Sequence, residues 1–372
     1  MKTLLRKIFQ VFVVVTLILS SGCNVHEWPG PLKFNDIKLK LNYKTQMTIV
    51  GENYETRAEG LFPSDRDMRY IVRAYPISES GVVSKEHSYE HIFVDKASDG
   101  YDCEVVLSIA PGKYKLMVWS DIVPVGSTEN EYYDAKNFSS ILLKNHVANT
   151  DYRDAFRGWK EVYIETTLIR PEEPEVFEIE MLRPLGKFEL VSDDILEFVE
   201  REEKIAKYRV TGSKGDSKGD SKVDIDDYKI EIEYSGWMQD EYSLFEDAHI
   251  NAHKYKFESK LIKINEREAS LGFDYIFVNQ EPNTTIRIII YDKFGNLVST
   301  SEDIKVPIAR SQHTILRGKF LTSKASGGVY INPEFTDDHN IFFGMEQPAP
   351  TPTPTPTPAP TPAPTPAPAT QE

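Results

Sequence analysis

Three groups of residues in this sequence have side chains of the types that bind metal ions. His87-Ser88-Tyr89-Glu90-His91 fits the H-x-x-E-H pattern, in which two histidines one helical turn apart hold zinc beside a general-base glutamate. His249 and His253 are also four residues apart, but Ile250 stands where H-E-x-x-H requires its glutamate. Five carboxylates close together in the chain could surround a calcium ion: Asp216, Asp220, Asp224, Asp226 and Asp227.

The surroundings of the H-x-x-E-H residues and of the acidic segment favour exposed polar residues over a metal site. H-x-x-E-H works only on a helix, and the flanking residues 81–84 and 92–95 are typical of a turn and a strand. No window of the acidic segment has the D-x-D-x-D-G spacing with a terminal glutamate, and G-x-S-x-G, P-loop and G-x-G-x-x-G motifs are missing. We therefore predict a protein that is not an enzyme and has no catalytic residue, metal or cofactor. A zinc hydrolase using His87, Glu90 and His91 remains the alternative.

Cys23 is the residue to which the sequence assigns a definite chemistry. Residues 1–7 are basic, residues 8–19 are mostly apolar, and Ser20-Ser21-Gly22-Cys23 follows, which is the order of an export signal and its cleavage site. An apolar run of 12 residues is shorter than the roughly 20 that cross a bilayer as a helix. The segment resembles bacterial lipoprotein signals, although Leu19 lies four places before the cysteine instead of three. The resemblance implies that residues 1–22 are removed and that Cys23 receives acyl chains such as palmitate.

The composition fits a soluble body attached to such an anchor. Charged residues make up 27% of the chain and hydrophobic residues 40%, which excludes a protein with several membrane spans. The net charge is −15, and removal of the three cations of residues 1–22 brings it to −18, so we predict no nucleic-acid partner. Cys103 is the only other cysteine; it lies in an alternating apolar run and is predicted to be a buried, unreactive thiol.

The stretch from residue 121 to residue 158 lacks a strand pattern and is rich in aromatic and acidic residues. Aromatic side chains can form a platform for sugar rings, but beneath a long loop they more often form a satellite core. The aromatic residues concerned are Tyr132, Tyr133, Phe138, Tyr152, Phe156 and Trp159. We take Tyr132, Tyr133 and Trp159 as candidate glycan-binding residues, with the satellite core as the alternative.

Alternation of apolar and polar residues predicts β strands along most of the chain. In the first half the apolar positions are Ile37-Leu39-Leu41-Tyr43, Tyr70-Val72-Ala74, Val105-Leu107-Ile109, Tyr114-Leu116-Val118 and Phe177-Ile179-Met181. In the second half they are Tyr228-Ile230-Ile232-Tyr234, Phe273-Tyr275-Phe277, Ile286-Ile288-Ile290 and Thr314-Leu316-Gly318-Phe320. Because no long helical patterns alternate with these strands, we predict an all-β fold, mainly antiparallel, built as β-sandwiches.

Turn and break signals divide the chain. Pro111-Gly112 predicts a hairpin between the strands on either side, and residues 292–296 predict another turn. Arg183-Pro184 ends a run of strands, and a short helical stretch over residues 195–204 follows. We place the domain boundary there, which gives an N-terminal domain at 34–183 and a C-terminal domain at 184–344.

The segments outside these domains are low in sequence complexity or rich in proline. Residues 23–33 hold two prolines and a glycine and suit a tether between the lipid and the fold. In the tail, residues 345–372, every second residue from Pro348 to Pro368 is proline, which predicts an extended rod. Ser-Lys-Gly-Asp occurs at residue 213 and again at residue 217, which predicts an exposed loop within the C-terminal domain.

Several blocks in one order carry a resemblance to a known family. The blocks are Cys23-Asn-Val-His-Glu-Trp-Pro29, Pro111-Gly-Lys-Tyr-Lys-Leu-Met-Val-Trp-Ser-Asp121, Asp151-Tyr-Arg-Asp-Ala-Phe-Arg-Gly158, Arg183-Pro-Leu-Gly-Lys-Phe-Glu189, Gly272-Phe-Asp-Tyr-Ile-Phe-Val278 and Phe320-Leu-Thr-Ser-Lys-Ala-Ser-Gly-Gly328. These blocks resemble a Bacteroidales family of lipoproteins with a domain of unknown function. That family is similar to the anchor and minor subunits of fimbriae.

The resemblance implies two tandem transthyretin-like Greek-key β-sandwiches, attached to the outer membrane through the lipid on Cys23. It implies a fimbrial or adhesin-like role in which subunits join by strand addition, with other fimbrial subunits as partners. The first hypothesis is accordingly a fimbrial anchor or accessory subunit, and the second is a glycan-binding surface lipoprotein. Asn24 follows the cysteine and only Glu27 is acidic nearby, so the sequence leaves open which face of the membrane carries the protein.

Overall fold

The computed structural model describes residues 34–44, 48–50, 65–95, 103–166, 173–211, 222–278, 283–322, 329–331 and 341–343. The predictions made for the export signal, Cys23, the tether, the Ser-Lys-Gly-Asp repeat and the proline-rich tail lie outside the described residues. Within them the chain forms strands β1 to β23 and one α helix.

The first half contributes ten strands and a short 3-10 helix at Asp151–Arg153. The strands are β1 (Asn35–Tyr43), β2 (Thr48–Val50), β3 (Arg66–Pro76), β4 (Tyr89–Asp95), β5 (Cys103–Ile109), β6 (Gly112–Pro124), β7 (Tyr133–Asp134), β8 (Ile141–Leu143), β9 (Ala155–Ile164) and β10 (Glu175–Met181).

The second half contributes α1, thirteen strands and a second 3-10 helix at Ile225–Asp227. Its elements are β11 (Leu185–Ser192), α1 (Ile195–Thr211), β12 (Lys229–Tyr234), β13 (Met238–Ser243), β14 (Ala248–His253), β15 (Lys256–Lys260), β16 (Ile262–Lys263), β17 (Ala269–Phe277), β18 (Asn283–Tyr291), β19 (Leu297–Thr300), β20 (Ile304–Pro307), β21 (Gln312–Gly318), β22 (Val329–Ile331) and β23 (Ile341–Phe343).

Two sheets of the first half face each other across an apolar core. One has the strand order β10-β1-β5 and the other β4-β3-β6-β9. Ile37, Leu39 and Leu41 of β1 are at most 1% exposed, whereas the residues between them are half-buried on the outer face. The predicted alternation is confirmed here because a strand that covers a core with one face buries every second side chain.

Strands β3 and β6 are buried on both faces, which the alternation did not predict. Every residue of β3 from Asp67 to Tyr75 is buried. Val72 and Ala74 belong to the core between the two sheets, while Ile71 and Tyr75 belong to the core of the second half. The four-stranded sheet is therefore a central layer, with the three-stranded sheet on one side and the second half on the other.

The second half is also a mainly antiparallel arrangement of two sheets. Its sheets have the orders β16-β17-β11-β21 and β15-β12-β18, and both β19 and β20 pair with β18. Parallel pairs join β1 to β10 and β21 to each of β2, β11 and β23; all other pairs between strands of the described chain are antiparallel. The prediction of a mainly antiparallel all-β fold is confirmed.

Helix α1 packs one face against the second core. Ile195 and Phe198 are buried, and the ring of Phe198 meets that of Tyr228 edge-on with centroids 4.8 Å apart. Asp194 precedes the helix and accepts a hydrogen bond from Oγ1 of Thr322 at 2.6 Å. This bond connects the start of the helix to the segment after β21. The helix runs to residue 211, seven residues beyond the predicted stretch.

The predicted turn at residues 292–296 is confirmed, but the predicted hairpin at Pro111-Gly112 is wrong. Asp292 accepts from the backbone N–H groups of Phe294 and Asn296 and closes the turn between β18 and β19. At Pro111-Gly112 the chain passes from one sheet to the other, since β5 pairs with β1 while β6 pairs with β3 and β9. A turn sequence reverses the chain but does not decide which strands pair afterwards.

One small sheet contains strands from both halves. Its order is β14-β13-β8-β7, and the junction pairs Glu241 and Tyr242 of β13 with Leu142 and Ile141 of β8. The stretch predicted to be irregular thus supplies strands to the contact between the halves.

Candidate functional site

The first candidate site is the free edge of strand β5. In the sheet β10-β1-β5, the strand pairs with β1 on one side and with no described strand on the other. Its inward side chains include Cys103 and Leu107, which are buried, and Val105, which is half-buried. Outward-facing Val106 is 54% exposed. An edge with unpaired backbone groups and an exposed apolar residue is able to pair with a further strand.

The unequal size of the two facing sheets explains why this corner is open. Mutual backbone hydrogen bonds of 2.9 Å between Arg157 and Leu182 join the sheets along β9 and β10. Because one sheet has three strands and the other has four, no described strand lies opposite β4. Tyr89 and Phe93 of β4 face the core but are only half-buried, and Phe93 stacks on Tyr70 with ring centroids 4.6 Å apart. The corner between β5 and β4 can therefore accept side chains from an added strand.

Two residues of the H-x-x-E-H pattern meet beside this corner, with Nε2 of His87 3.8 Å from a carboxylate oxygen of Glu90, but His91 does not join them. Glu90 and His91 are neighbours in β4, so their side chains point to opposite faces. Glu90 accepts a hydrogen bond of 2.6 Å from Arg73, while the ring of His91 stacks on Phe93 with centroids 5.3 Å apart. Within the described residues no group of three or more potential ligands (His, Cys, Asp or Glu) is close enough to hold a metal ion.

The other residues considered for metal binding have local structural roles. Asp224 accepts from the backbone N–H of Asp226 and begins the second 3-10 helix. Asp227 pairs with Lys293 at 2.6 Å. Asp216 and Asp220 lie outside the described residues. His253, on β14 with His249, has Nδ1 2.6 Å from a carboxylate oxygen of Asp240.

The second candidate site is a pocket of about 610 Å³ between the two halves. A segment of the first half and the start of β15 in the second half form its walls. The lining residues are Glu131, Tyr132, Lys144, Asn145, His146, Val147, Tyr255 and Lys256. Ligand pockets typically have volumes of about 300–1,000 Å³.

Hydrogen bonds hold the first-half wall of the pocket in place. The buried side chain of Asn130 accepts from the backbone N–H groups of Tyr132 and Tyr133 at 2.6 and 2.7 Å. Asn145 donates to the carbonyl of Glu131 at 2.8 Å. Asn149 has a φ of 59°, which asparagine adopts more readily than most residues, and its side chain accepts from the backbone N–H of Phe273. These contacts attach the loop of residues 144–149 to both halves.

A buried carboxylate, Asp274 of β17, lies beneath the pocket. Its Oδ2 is 2.7 Å from Nε2 of His146 and accepts a hydrogen bond of 2.6 Å from the hydroxyl of Tyr234. Its Oδ1 accepts from the guanidinium of Arg153, which also donates to the carbonyl of Tyr275 at 2.6 Å. Arg153 and His146 belong to the first half and Tyr234, Asp274 and Tyr275 to the second, so this network joins the halves directly below the pocket.

Opposing effects set the pKa of Asp274. Burial alone would raise it, but the charge of Arg153 and the hydrogen bonds from His146 and Tyr234 outweigh burial and hold the pKa of Asp274 below its ordinary value. The carboxylate is therefore ionised near neutral pH. Burial beside this carboxylate raises the pKa of the Tyr234 hydroxyl, which stays a donor.

The three predicted glycan-binding aromatics occupy different places. Tyr132 is 9% exposed and lines the pocket. Tyr133 is 1% exposed, and its hydroxyl donates to the carbonyl of Arg153 at 2.7 Å within the core. Trp159 is 47% exposed on β9, with the ammonium of Lys115 4.5 Å from its ring centroid. Tyr132 and Tyr133 thus belong to a hydrophobic core, which was the alternative interpretation of this stretch. Trp159 lies outside the pocket.

His146 and Tyr255 line the pocket and Asp274 lies beneath it, and the sequence did not single out any of the three. Over 100 positions separate His146 from the other two, and none of the three stands in a motif. Cys103, by contrast, is placed as predicted: it is 7% exposed, and burial raises the pKa of its thiol to about 11.

Comparison with known proteins connects the chain to a family of unknown function. The model of that family, DUF6562, matches residues 31–353. No curated protein matches the chain. The predicted resemblance to a family with a domain of unknown function is confirmed.

Three solved structures are among those similar to this chain. A protein proposed to be an adhesin from Bacteroides ovatus is 12% identical, over 72% of this chain and 76% of that chain, with a TM-score of 0.41. The fimbrial anchor protein Mfa2 from Porphyromonas gingivalis is 10% identical, over 71% and 81%, with a TM-score of 0.39. A fimbrial assembly protein from Parabacteroides distasonis is 10% identical, over 80% and 90%, with a TM-score of 0.34.

In the described part of the chain, no helix combines the length and the apolar character needed to span a bilayer.

Proposed function

The chain belongs to the family of unknown function DUF6562, and we propose that this member is a non-enzymatic lipoprotein of the cell envelope that acts as an anchor or accessory subunit of a fimbria. The observation that carries the proposal is the edge of β5, which pairs with no described strand, in a chain whose predicted export signal, residues 1–22, precedes Cys23. A lipid fixes the protein to the outer membrane, and the edge provides a place for the next subunit. We also propose that residues 34–183 and 184–344 are its two sandwich domains.

Strand addition is the mode of association that this edge supports. An extended segment of a partner pairs its backbone with β5 and places alternate side chains in the corner beside β4. Val105 and Phe93, each half-buried at that corner, become fully buried in such a complex. The backbone hydrogen bonds supply affinity and the corner supplies selectivity for the partner's side chains.

Lipid attachment is tested by metabolic labelling with a fatty acid that carries a clickable alkyne. We expect the full-length protein to be labelled and to sediment with membranes, and Cys23→Ser to lose both properties. Cys103→Ser, the matched control at the other cysteine, should keep them. Labelling that persists in Cys23→Ser would contradict the proposal.

Association through β5 is tested by placing a photo-crosslinking amino acid at Val106. We expect irradiation of intact cells to join this protein to another envelope protein through position 106. The same amino acid at Phe294, which is 75% exposed in a turn of the other half, should give no such product. Deletion of the gene should alter fibre length or attachment, and unaltered fibres together with no crosslink at 106 would refute the fimbrial role.

A second candidate function, binding of surface glycans, is supported by the pocket between the halves. Tyr132 and Tyr255 contribute aromatic surface to its walls, and Lys144, Asn145 and Lys256 contribute hydrogen-bond donors. This combination of apolar faces and convergent polar groups is typical of small-molecule sites. A glycan array probed with the mature chain tests it. Loss of array binding in Tyr255→Ala would support the pocket, and loss in Trp159→Ala would support a site on β9 instead.

A further inference from the structure

We propose that the pocket between the halves binds the acidic residue of a saccharide, such as a uronic or sialic acid. This inference rests on the second candidate function above, glycan binding, and is independent of fibre assembly. It follows from three properties of the lining residues: aromatic surface, a ring nitrogen of His146 without a described partner, and a positive charge that makes no described ion pair.

The aromatic surface is placed where one sugar ring could lie between the halves. Tyr132 belongs to the first half and Tyr255, which is half-buried, to the second. The ring centroids of Tyr255 and His146 are 4.9 Å apart. The ring centroid of Phe257 lies 5.8 Å from that of His146. This supporting cluster keeps Tyr255 at the wall. Apolar faces of sugar rings pack against aromatic rings that have one face exposed to solvent.

His146 has a ring nitrogen beside the pocket that could pair with a sugar hydroxyl. Nε2 faces the carboxylate of Asp274, which can only accept, so Nε2 carries a hydrogen. Among the described residues Nδ1 has no hydrogen-bond partner, although the side chain is only 4% exposed. A sugar hydroxyl can pair with this nitrogen because it can both donate and accept. Because Nδ1 does not reach solvent, its contact with a ligand requires the neighbouring ring of Tyr255 to shift.

The charge at the wall selects for an acid. Glu131 pairs with Arg66 at 2.6 Å, and Lys256 pairs with Glu231 at 3.0 Å, so both are neutralised by residues outside the pocket. The ammonium of Lys144 donates to the carbonyl of Asn130 at 2.5 Å and makes no ion pair with a described residue. One positive charge is therefore uncompensated at the pocket of a chain whose net charge is −15. A carboxylate on the ligand would pair with it.

Titration of the mature chain with matched methyl glycosides tests the inference. The acids are the methyl glycosides of glucuronic, galacturonic and N-acetylneuraminic acid, and each uronide is compared with its neutral hexoside. We expect at least one acid to bind about tenfold more tightly than its neutral counterpart or, for the sialic acid, its methyl ester, and this preference to weaken as salt is raised.

Variants assign the result to the pocket. Lys144→Gln should remove the preference for the acid and leave binding of the neutral glycoside unchanged, whereas Lys160→Gln, at an exposed lysine of β9, should change neither. Tyr255→Ala should abolish binding of both, and Trp159→Ala should abolish neither. Circular dichroism confirms that each variant is folded.

Two results overturn the inference in distinguishable ways. Equal binding of acids and neutral glycosides, unaffected by Lys144→Gln, refutes the acidic class and leaves glycan binding standing. Absence of binding by every acid and every neutral glycoside refutes both the inference and the second candidate function.

Discussion

At the scale of residues, the most heavily bonded side chain of the pocket floor is that of Asp274. It receives hydrogen bonds from Arg153 and Tyr234, contacts His146, and is 1% exposed. A buried charge is tolerable only when such partners replace its lost water. The same contacts fix the His146 ring at the pocket wall, so Asp274 positions a ligand-facing residue without touching the ligand.

Asp274→Asn should destabilise the protein by about 3–5 kcal/mol, because it leaves the buried guanidinium of Arg153 without its counter-charge. Urea unfolding at neutral pH measures this change. Asp303→Asn is the matched control: it breaks an exposed pair of 2.7 Å with Arg287 and should cost no more than about 1 kcal/mol. Equal effects of the two substitutions would contradict the role given to Asp274.

The difference in stability between the wild type and Asp274→Asn should depend on pH. The pKa of Asp274 is lowered by folding, so its contribution to stability is complete well above the unfolded pKa of about 3.9. That contribution is lost as pH falls below this value toward the folded pKa. The free energies of unfolding of the two proteins should therefore converge between about pH 5 and pH 2. A difference that stays constant over this range would show that Asp274 is not ionised in the folded protein.

Cys103 should be unreactive while the protein is folded. Burial raises the pKa of its thiol to about 11, so almost no thiolate is present at pH 8. With Cys23→Ser, Cys103 is the only thiol of the chain. We expect maleimide to label this variant in guanidinium chloride and to leave it unlabelled in native buffer over the same time. Rapid labelling in native buffer would mean that the β5 edge opens readily.

At the scale of elements, close approach of backbones decides several positions. β9 crosses near β10 at Gly158, where an added Cβ would lie 2.6 Å from the carbonyl oxygen of Glu180. This contact joins the two sheets of the first half on the side opposite the free β5 edge. Because the backbones are so close here, β10 of the three-stranded sheet is held against β9 of the four-stranded sheet. The difference in strand number therefore falls at the other end, where β5 and β4 lie.

Gly158→Ala should destabilise the protein by about 1–3 kcal/mol, since a backbone oxygen cannot move aside for the methyl group. Gly236→Ala is a suitable control, because the nearest atom, Cβ of Thr285, lies 3.8 Å from the added Cβ. That substitution should change the free energy of unfolding by no more than about 0.5 kcal/mol in either direction. Part of this change is a small stabilisation, because alanine leaves the unfolded chain fewer conformations than glycine does. Chemical denaturation of both variants measures the contrast, and a harmless Gly158→Ala would show that β9 and β10 are further apart.

At the scale of the whole molecule, the two halves share a core and two sheets, since β8 pairs with β13 and β2 pairs with β21. Ile71, Met117 and Trp119 of the first half lie in the same apolar cluster as Phe188 and Ile288 of the second. A charge network adds to this contact: Asp247 accepts from Arg157 at 2.8 Å and from Arg310 at 2.9 Å. Neither half could separate without exposing a large apolar surface to water.

The full chain should consequently unfold in a single transition. Tryptophan fluorescence, to which the buried Trp119 contributes, and far-UV circular dichroism should give the same urea midpoint. The two halves produced separately, 34–183 and 184–344, should bind a hydrophobic dye or aggregate. Two resolved transitions in the full chain would show that the halves fold independently.

The sequence alone was sufficient wherever a local pattern has one physical meaning. Apolar and polar residues alternate along β1, β12 and β18, which predicts strands because every second side chain of a half-buried strand faces the core. This alternation was sufficient to predict the all-β class. The lone cysteine at 103 was identified as buried from the same pattern. The export signal stands on composition and order alone and stays a prediction.

Tertiary structure decided everything that depends on which elements meet. The burial of both faces of β3, the passage of the chain between sheets at Pro111-Gly112, and the strand mismatch that frees β5 follow from pairing over long sequence separations, which no local pattern encodes. The pocket is the clearest case: His146 and Asp274 are separated by 128 positions and meet only because β17 and the loop after β8 pack together. Cys23 marks where the protein is predicted to be held, while the fold determines what the held protein can bind.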